Sequence, residues 1–211
     1  MKFRAVESAL TTCMVILVSV MPGLAAGETA SEVVRNTSSQ VIERLVAQKA
    51  QLEAEPEQIY DVINELVLPH FDFYNMSRFV LGNAWNQANK EQQQAFVEQF
   101  KTLLVRTYAN ALKQYSDNEI KYFPEQSNPD SRLVLVKTEV KGVNGTKSVP
   151  INYRMHSVDG AWKVVDVAVD GVSLVSTYRG SFASEIRNSG MDALIAKLVE
   201  RNLRITVTRK E

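Results

Sequence analysis

Residues 147–169 read KSVPINYRMHSVDGAWKVVDVAV, and the fold class turns on them. In the first half, Val149, Ile151, Tyr153 and Met155 fall on one face of an extended chain, and Asn152, Arg154 and His156 on the other. Asp159-Gly160 then supplies the dipeptide that favours a two-residue hairpin turn. Beyond it Val165, Val167 and Val169 again share one side at a period of two. Two antiparallel strands with a single apolar face are predicted.

Outward from this hairpin the pattern continues. Upstream, residues 119–124 and 131–141 read as two further strands, and Asn144-Gly145 as another tight turn. Downstream, Gly171 is expected to end the sheet, with a helix over 173–188 carrying Leu174, Val175, Tyr178, Phe182 and Ile186. Gly190 separates it from a last helix over 191–203. Before residue 116 the period is helical throughout. Val33, Val34, Val41, Ile42, Leu45, Val46 and Leu52 make one stripe over 31–54. Pro56 opens a second helix, with Ile59, Val62, Ile63, Leu66 and Val67, that should stop before Pro69. Short helices follow over 72–82, ending at Gly82. The longest runs over 90–115, with Phe96, Phe100, Leu103, Leu104, Tyr108, Leu112 and Tyr115 three or four apart. The expectation is an α+β domain, helices packed over one antiparallel four-stranded sheet.

The amino terminus has a different grammar. Lys2 and Arg4 precede an apolar run from Ala9 to Met21, and Pro22-Gly23-Leu24-Ala25-Ala26 follows. A basic start, a short apolar centre and small residues are the parts of a secretory signal, here residues 1–26. The run is shorter than the roughly 20 residues of a membrane-spanning helix. Residues 27–211 would then form one mature domain without a cysteine, because Cys13 lies in the signal. Such a chain has no disulfide and is held by packing alone. The 24 basic and 24 acidic residues of the whole sequence balance, and no basic stripe points to nucleic acid.

Catalytic chemistry is sparsely offered. His70 and His156 are the two histidines, and neither sits in a metal-ligand spacing. No nucleophile elbow, phosphate loop or dinucleotide fingerprint occurs. Asp166 and Asp170 lie roughly 13 Å apart on an extended strand, too far to tune one another. The plain expectation for them is an exposed polar position at Asp166 and a turn at Asp170.

Two longer blocks carry a resemblance. Residues 165–182 (VDVAVDGVSLVSTYRGSF) and residues 73–85 (FYNMSRFVLGNAW), with Gln93, Phe96, Phe100, Leu103, Leu104, Thr107, Tyr108 and Ala109 in register after them, resemble the MlaC or toluene-tolerance family of periplasmic phospholipid-binding proteins. The order of elements agrees along nearly the whole mature chain. The resemblance implies a soluble, monomeric carrier with an apolar lipid cavity between sheet and helices, and no cofactor besides its phospholipid cargo. It also implies partners: an outer-membrane lipoprotein–porin complex and an inner-membrane transporter driven by ATP (an ABC-type complex). The wall of such a cavity would come from Phe100, Leu104, Tyr108, Tyr153, Met155, Val165, Val167, Val169, Val175, Tyr178 and Phe182, for each of which ordinary core packing is the competing role. Arg78 and Arg179, inside the matched blocks, are candidates for the lipid headgroup, with an ion pair that fixes a helix as the alternative. Two other readings stay open: an isomerase or hydrolase of an apolar substrate, and a chaperone-like adaptor.

Overall fold

A computed structural model describes residues 27–114, 118–125, 133–142 and 146–207. The signal segment, Tyr115 and the Asn144-Gly145 turn lie outside them. Helix α1 (Ala30–Ala47) starts on a reciprocal cap: the Glu32 N–H donates to the Thr29 hydroxyl, and the Thr29 N–H donates back to the Glu32 carboxylate at 2.7 Å. Glu125 adds a second cap, accepting from both the N–H and the hydroxyl of Ser31. The apolar stripe expected over 31–54 is interrupted at Gln48, which separates α1 from α2 (Lys49–Ala54).

The segment after Pro56 is less regular than its period suggests. A 3₁₀ turn (Pro56–Gln58) leads into the short α3 (Ile59–Val62), then a π-helical stretch (Ile63–Val67), then a second 3₁₀ turn (Leu68–His70). Pro69 lies inside that turn instead of beyond the helix. Asp72 then caps α4 (Phe73–Leu81) through the Asn75 N–H at 2.9 Å. Gly82 ends α4 at φ 54°, and α5 (Asn83–Gln87) and α6 (Lys90–Gln114) follow.

The sheet is a meander of five strands, not the expected four. They are β1 (Ile120–Tyr122), β2 (Leu133–Val140), β3 (Val149–Val158), β4 (Ala161–Val169) and β5 (Val172–Ser173), each antiparallel to its neighbour. The extra strand arises because Asp170-Gly171 does what Asp159-Gly160 does. Both pairs have positive φ at both residues, as a hairpin turn of this kind requires, so the chain folds back instead of leaving the sheet. A second correction concerns β4. Arg154 pairs with Asp166 but Met155 with Val164, so Val165 is the extra residue of a β-bulge. The bulge breaks the expected alternation, and Val165 does not share a face with Val167 and Val169.

The last helix, α7 (Leu174–Val207), is broken at Gly190, whose φ of 86° and ψ of 172° are not helical. Its two halves fold onto each other. Glu185 and Lys197 would stand roughly 18 Å apart on a straight helix, yet their ion pair closes to 2.6 Å. Among the described residues no helix is long and apolar enough to cross a membrane.

Candidate functional site

The apolar residues fall into three clusters, and two of them divide the candidate wall. Helices α4, α5, α6 and both halves of α7 enclose the first, with Phe96, Phe100, Leu103, Trp85 and Val165 at its centre. Phe96 and Phe100 stack at 5.6 Å, and Tyr178 and Phe182 meet Phe100 edge-on at 5.4 and 6.0 Å. Aromatic contacts of this kind contribute about 0.5–1.5 kcal/mol each beyond the area they bury. Phe100, Leu104, Val165, Val175, Tyr178 and Phe182 are all buried here, with Tyr108 packed half-buried against them. Burial and the Tyr178 hydroxyl both push the Tyr108 phenol up.

The second cluster lies on the sheet. Register places Val136 opposite Tyr153 and Tyr153 opposite Val167, with Val134 opposite Met155 and Ile151 opposite Val169. These side chains share one face, and the first turns of α1 cover it with Ala30, Val33 and Val34. The cover is partial. Val134, Val136, Met155, Val164 and Val167 are buried, while Ile151, Tyr153, Trp162 and Val169 keep some accessible surface. Tyr153 keeps some accessible surface, and burial pushes its phenol up to about 12. Of the expected wall, Tyr153, Met155, Val167 and Val169 are brought together here. Val134, Val136, Ile151, Val33 and Val34 join them and were not among the candidates; β2 opens with Leu133-Val134-Leu135-Val136, apolar on both faces, so its period does not mark the inner one. A third cluster joins the end of α1 to α2, α3 and α6.

The polar groups of β3 and β4 point to the opposite face. His156 meets Asp72 at 2.8 Å, which ties the head of α4 to β3. Asp166 is not an exposed position, as expected, but is 4 % exposed. It accepts from the Ser173 hydroxyl at 2.7 Å and from the Val175 N–H at 3.1 Å, so it caps α7. Neither group faces the apolar side. Tyr122 and Tyr153 lie on that side, and Arg35 of α1 stands over the Tyr122 ring at 4.1 Å. The arrangement can hold an apolar guest. Beside Phe71 of this cluster, burial and the Lys163 ammonium push the His70 imidazole below its ordinary value.

The two arginines lie elsewhere again. Arg78 is exposed and donates to the Asn75 amide oxygen at 3.0 Å. Arg179 donates from Nε to the Phe79 carbonyl at 2.8 Å, linking α7 to the end of α4. Neither is in an ion pair with a described residue.

The family model described as "MlaC protein" matches residues 35–200. The chain is similar to the toluene tolerance protein ttg2D of Pseudomonas putida, 30% identical over 187 residues that cover 88% of this chain and 86% of that protein. It is also similar to the intermembrane phospholipid transport system binding protein MlaC of Haemophilus influenzae, 24% identical over 72% of each chain. Among solved structures, the phospholipid-binding protein from Ralstonia solanacearum in complex with a phospholipid superposes with a TM-score of 0.76 at 29% identity, covering 84% of this chain and 98% of that one.

Proposed function

This chain belongs to the MlaC protein family, and from that premise we propose that it is a periplasmic carrier that binds phospholipid and passes it between complexes of the outer and inner membranes. The observation that carries the reading is the apolar sheet face: aliphatic and aromatic side chains from β2, β3 and β4 converge under α1 and remain incompletely covered. A diacyl lipid has about 30 methylenes, each worth about 0.8 kcal/mol on leaving water, so its bare tails would cost on the order of 20 kcal/mol. A carrier must offer an interior about as apolar as a bilayer, or the lipid would never leave one. It must also make few specific polar contacts, or the lipid would never leave the carrier. A wall of valine, isoleucine and tyrosine meets both demands.

In this reading Tyr153, Met155, Val167 and Val169 touch acyl chains directly. Phe100, Leu104, Tyr108, Val175, Tyr178 and Phe182, with Val165 of β4, form the closed core on the other face of the sheet. The proposed exchange partners are an outer-membrane lipoprotein–porin complex and an ATP-driven inner-membrane transporter. Carriage, not catalysis, suits the site, because Asp166 and His156 are engaged on the far face of the sheet.

Organic extraction of the purified protein, followed by mass spectrometry, should yield phospholipid. Lipid-free protein in repeated preparations would overturn the proposal. Val167→Asp or Tyr153→Asp should lose that lipid while circular dichroism still reports a folded chain. Wholesale unfolding of both variants would instead make these residues ordinary core.

A further inference from the structure

We infer that the outward side of α4, with the first turn of α6 and the adjoining part of α7, is a docking surface for an anionic phospholipid bilayer. Tyr74 and Phe79 are left 52% and 39% exposed. On α4 Tyr74 lies one turn before Arg78, and Phe79 is next to it. Arg179 reaches this place from α7 by its bond to the Phe79 carbonyl. Lys90 shares with Tyr74 a shallow depression whose other walls are Gln93, Gln94 and Val97, with no carboxylate among them. None of the three cations is in an ion pair with a described residue, and one exposed acid, Glu91, shares the first turn of α6 with Lys90. Asp72, at the head of α4, is half-buried and held by Asn75 and His156.

The chemistry of this face matches the headgroup region of a membrane. Tyrosine and phenylalanine rest at the boundary between headgroup and acyl chain, and cations beside them are drawn to anionic lipid. The Tyr74 ring is anchored edge-on to the buried Trp85 at 5.0 Å, so it is presented, not free to swing. An acidic protein would match the charge as well. The face is nevertheless built from helices, with no strand edge for a peptide to pair with, which favours a fluid surface.

The test is flotation of the full chain with extruded vesicles, either phosphatidylcholine alone or with about a third phosphatidylglycerol. Association with the anionic vesicles only, weakened by salt, is expected. Arg78→Gln/Lys90→Gln/Arg179→Gln should weaken it on the order of a hundredfold, at about fivefold per cation. Arg78→Lys/Arg179→Lys keeps the charge and should keep the binding, and Tyr74→Ser/Phe79→Ser should weaken binding to anionic vesicles. Circular dichroism establishes that each variant is folded. Equal affinity for both vesicle types, or an unaffected triple variant, would overturn the inference. So would failure to bind any vesicle, which would leave the face to an acidic protein. Lys90→Gln/Tyr74→Ser should retain its co-extracted lipid, so loss of docking and loss of cargo are read separately.

Discussion

Asp72 joins two parts of the molecule through one carboxylate. It caps α4 through the Asn75 N–H and pairs with His156 on β3. Burial alone would raise its pKa, but the Asn75 backbone and side chain, together with His156, hold it below the ordinary 3.8. A carboxyl with a depressed folded pKa adds stability above its unfolded value, and that stability is lost as pH falls through the folded one. The native protein should therefore lose this contribution only below about pH 4, in an acid titration followed by circular dichroism. Asp72→Ala should be less stable by about 0.5–2 kcal/mol at neutral pH, from the lost cap, and should lack that part of the acid limb. Neighbouring residues show where sequence reading stops. Val165 and Asp166 look like an inward valine and an outward carboxylate under a strict period of two. One bulge reverses the first and a helix terminus captures the second. Both events depend on partners far away in space, and periodicity records only the chain itself.

Among the elements, α7 owes its shape to one glycine. Gly190 occupies a backbone region that is essentially closed to other residues, although a side chain there would meet no neighbour. Gly190→Ala should cost about 1–3 kcal/mol through backbone strain alone. Thermal unfolding should show it as a lower midpoint, and an unchanged midpoint would mean that the fold-back does not depend on this conformation. Helix boundaries at Gly82 and Gly190, the meander and the Asp159-Gly160 turn were legible because each has a local signature. The two-residue β5 carried the same Asp-Gly signature, but a strand that short has no period to confirm it. The π-helical stretch over Ile63–Val67 gave no signal either, since its apolar spacing is that of an ordinary helix.

For the molecule as a whole, cargo and stability are linked. A ligand that binds only the folded chain stabilises it by mass action, by about 2.7 kcal/mol at a hundred times its Kd. At about 2–4 °C per kcal/mol for a domain of this size, delipidated protein should melt roughly 5–10 °C lower and recover on adding phospholipid. An unchanged midpoint would mean that the interior is equally well packed when empty. The candidate site was only half legible: valines of the two faces have the same spacing, and only the register across β2, β3 and β4 sorts them between the faces.

Every strand of the sheet pairs with its neighbour in sequence, so the meander can zip up from short loops. Helix α1 is different. It lies over β2 and β4, and its Ser31 is bound to a glutamate 94 positions further along the chain. It precedes the strands in the chain, yet it has nothing to cover until they exist. The cover of the apolar sheet face is thus made before the sheet it rests on and seated after it.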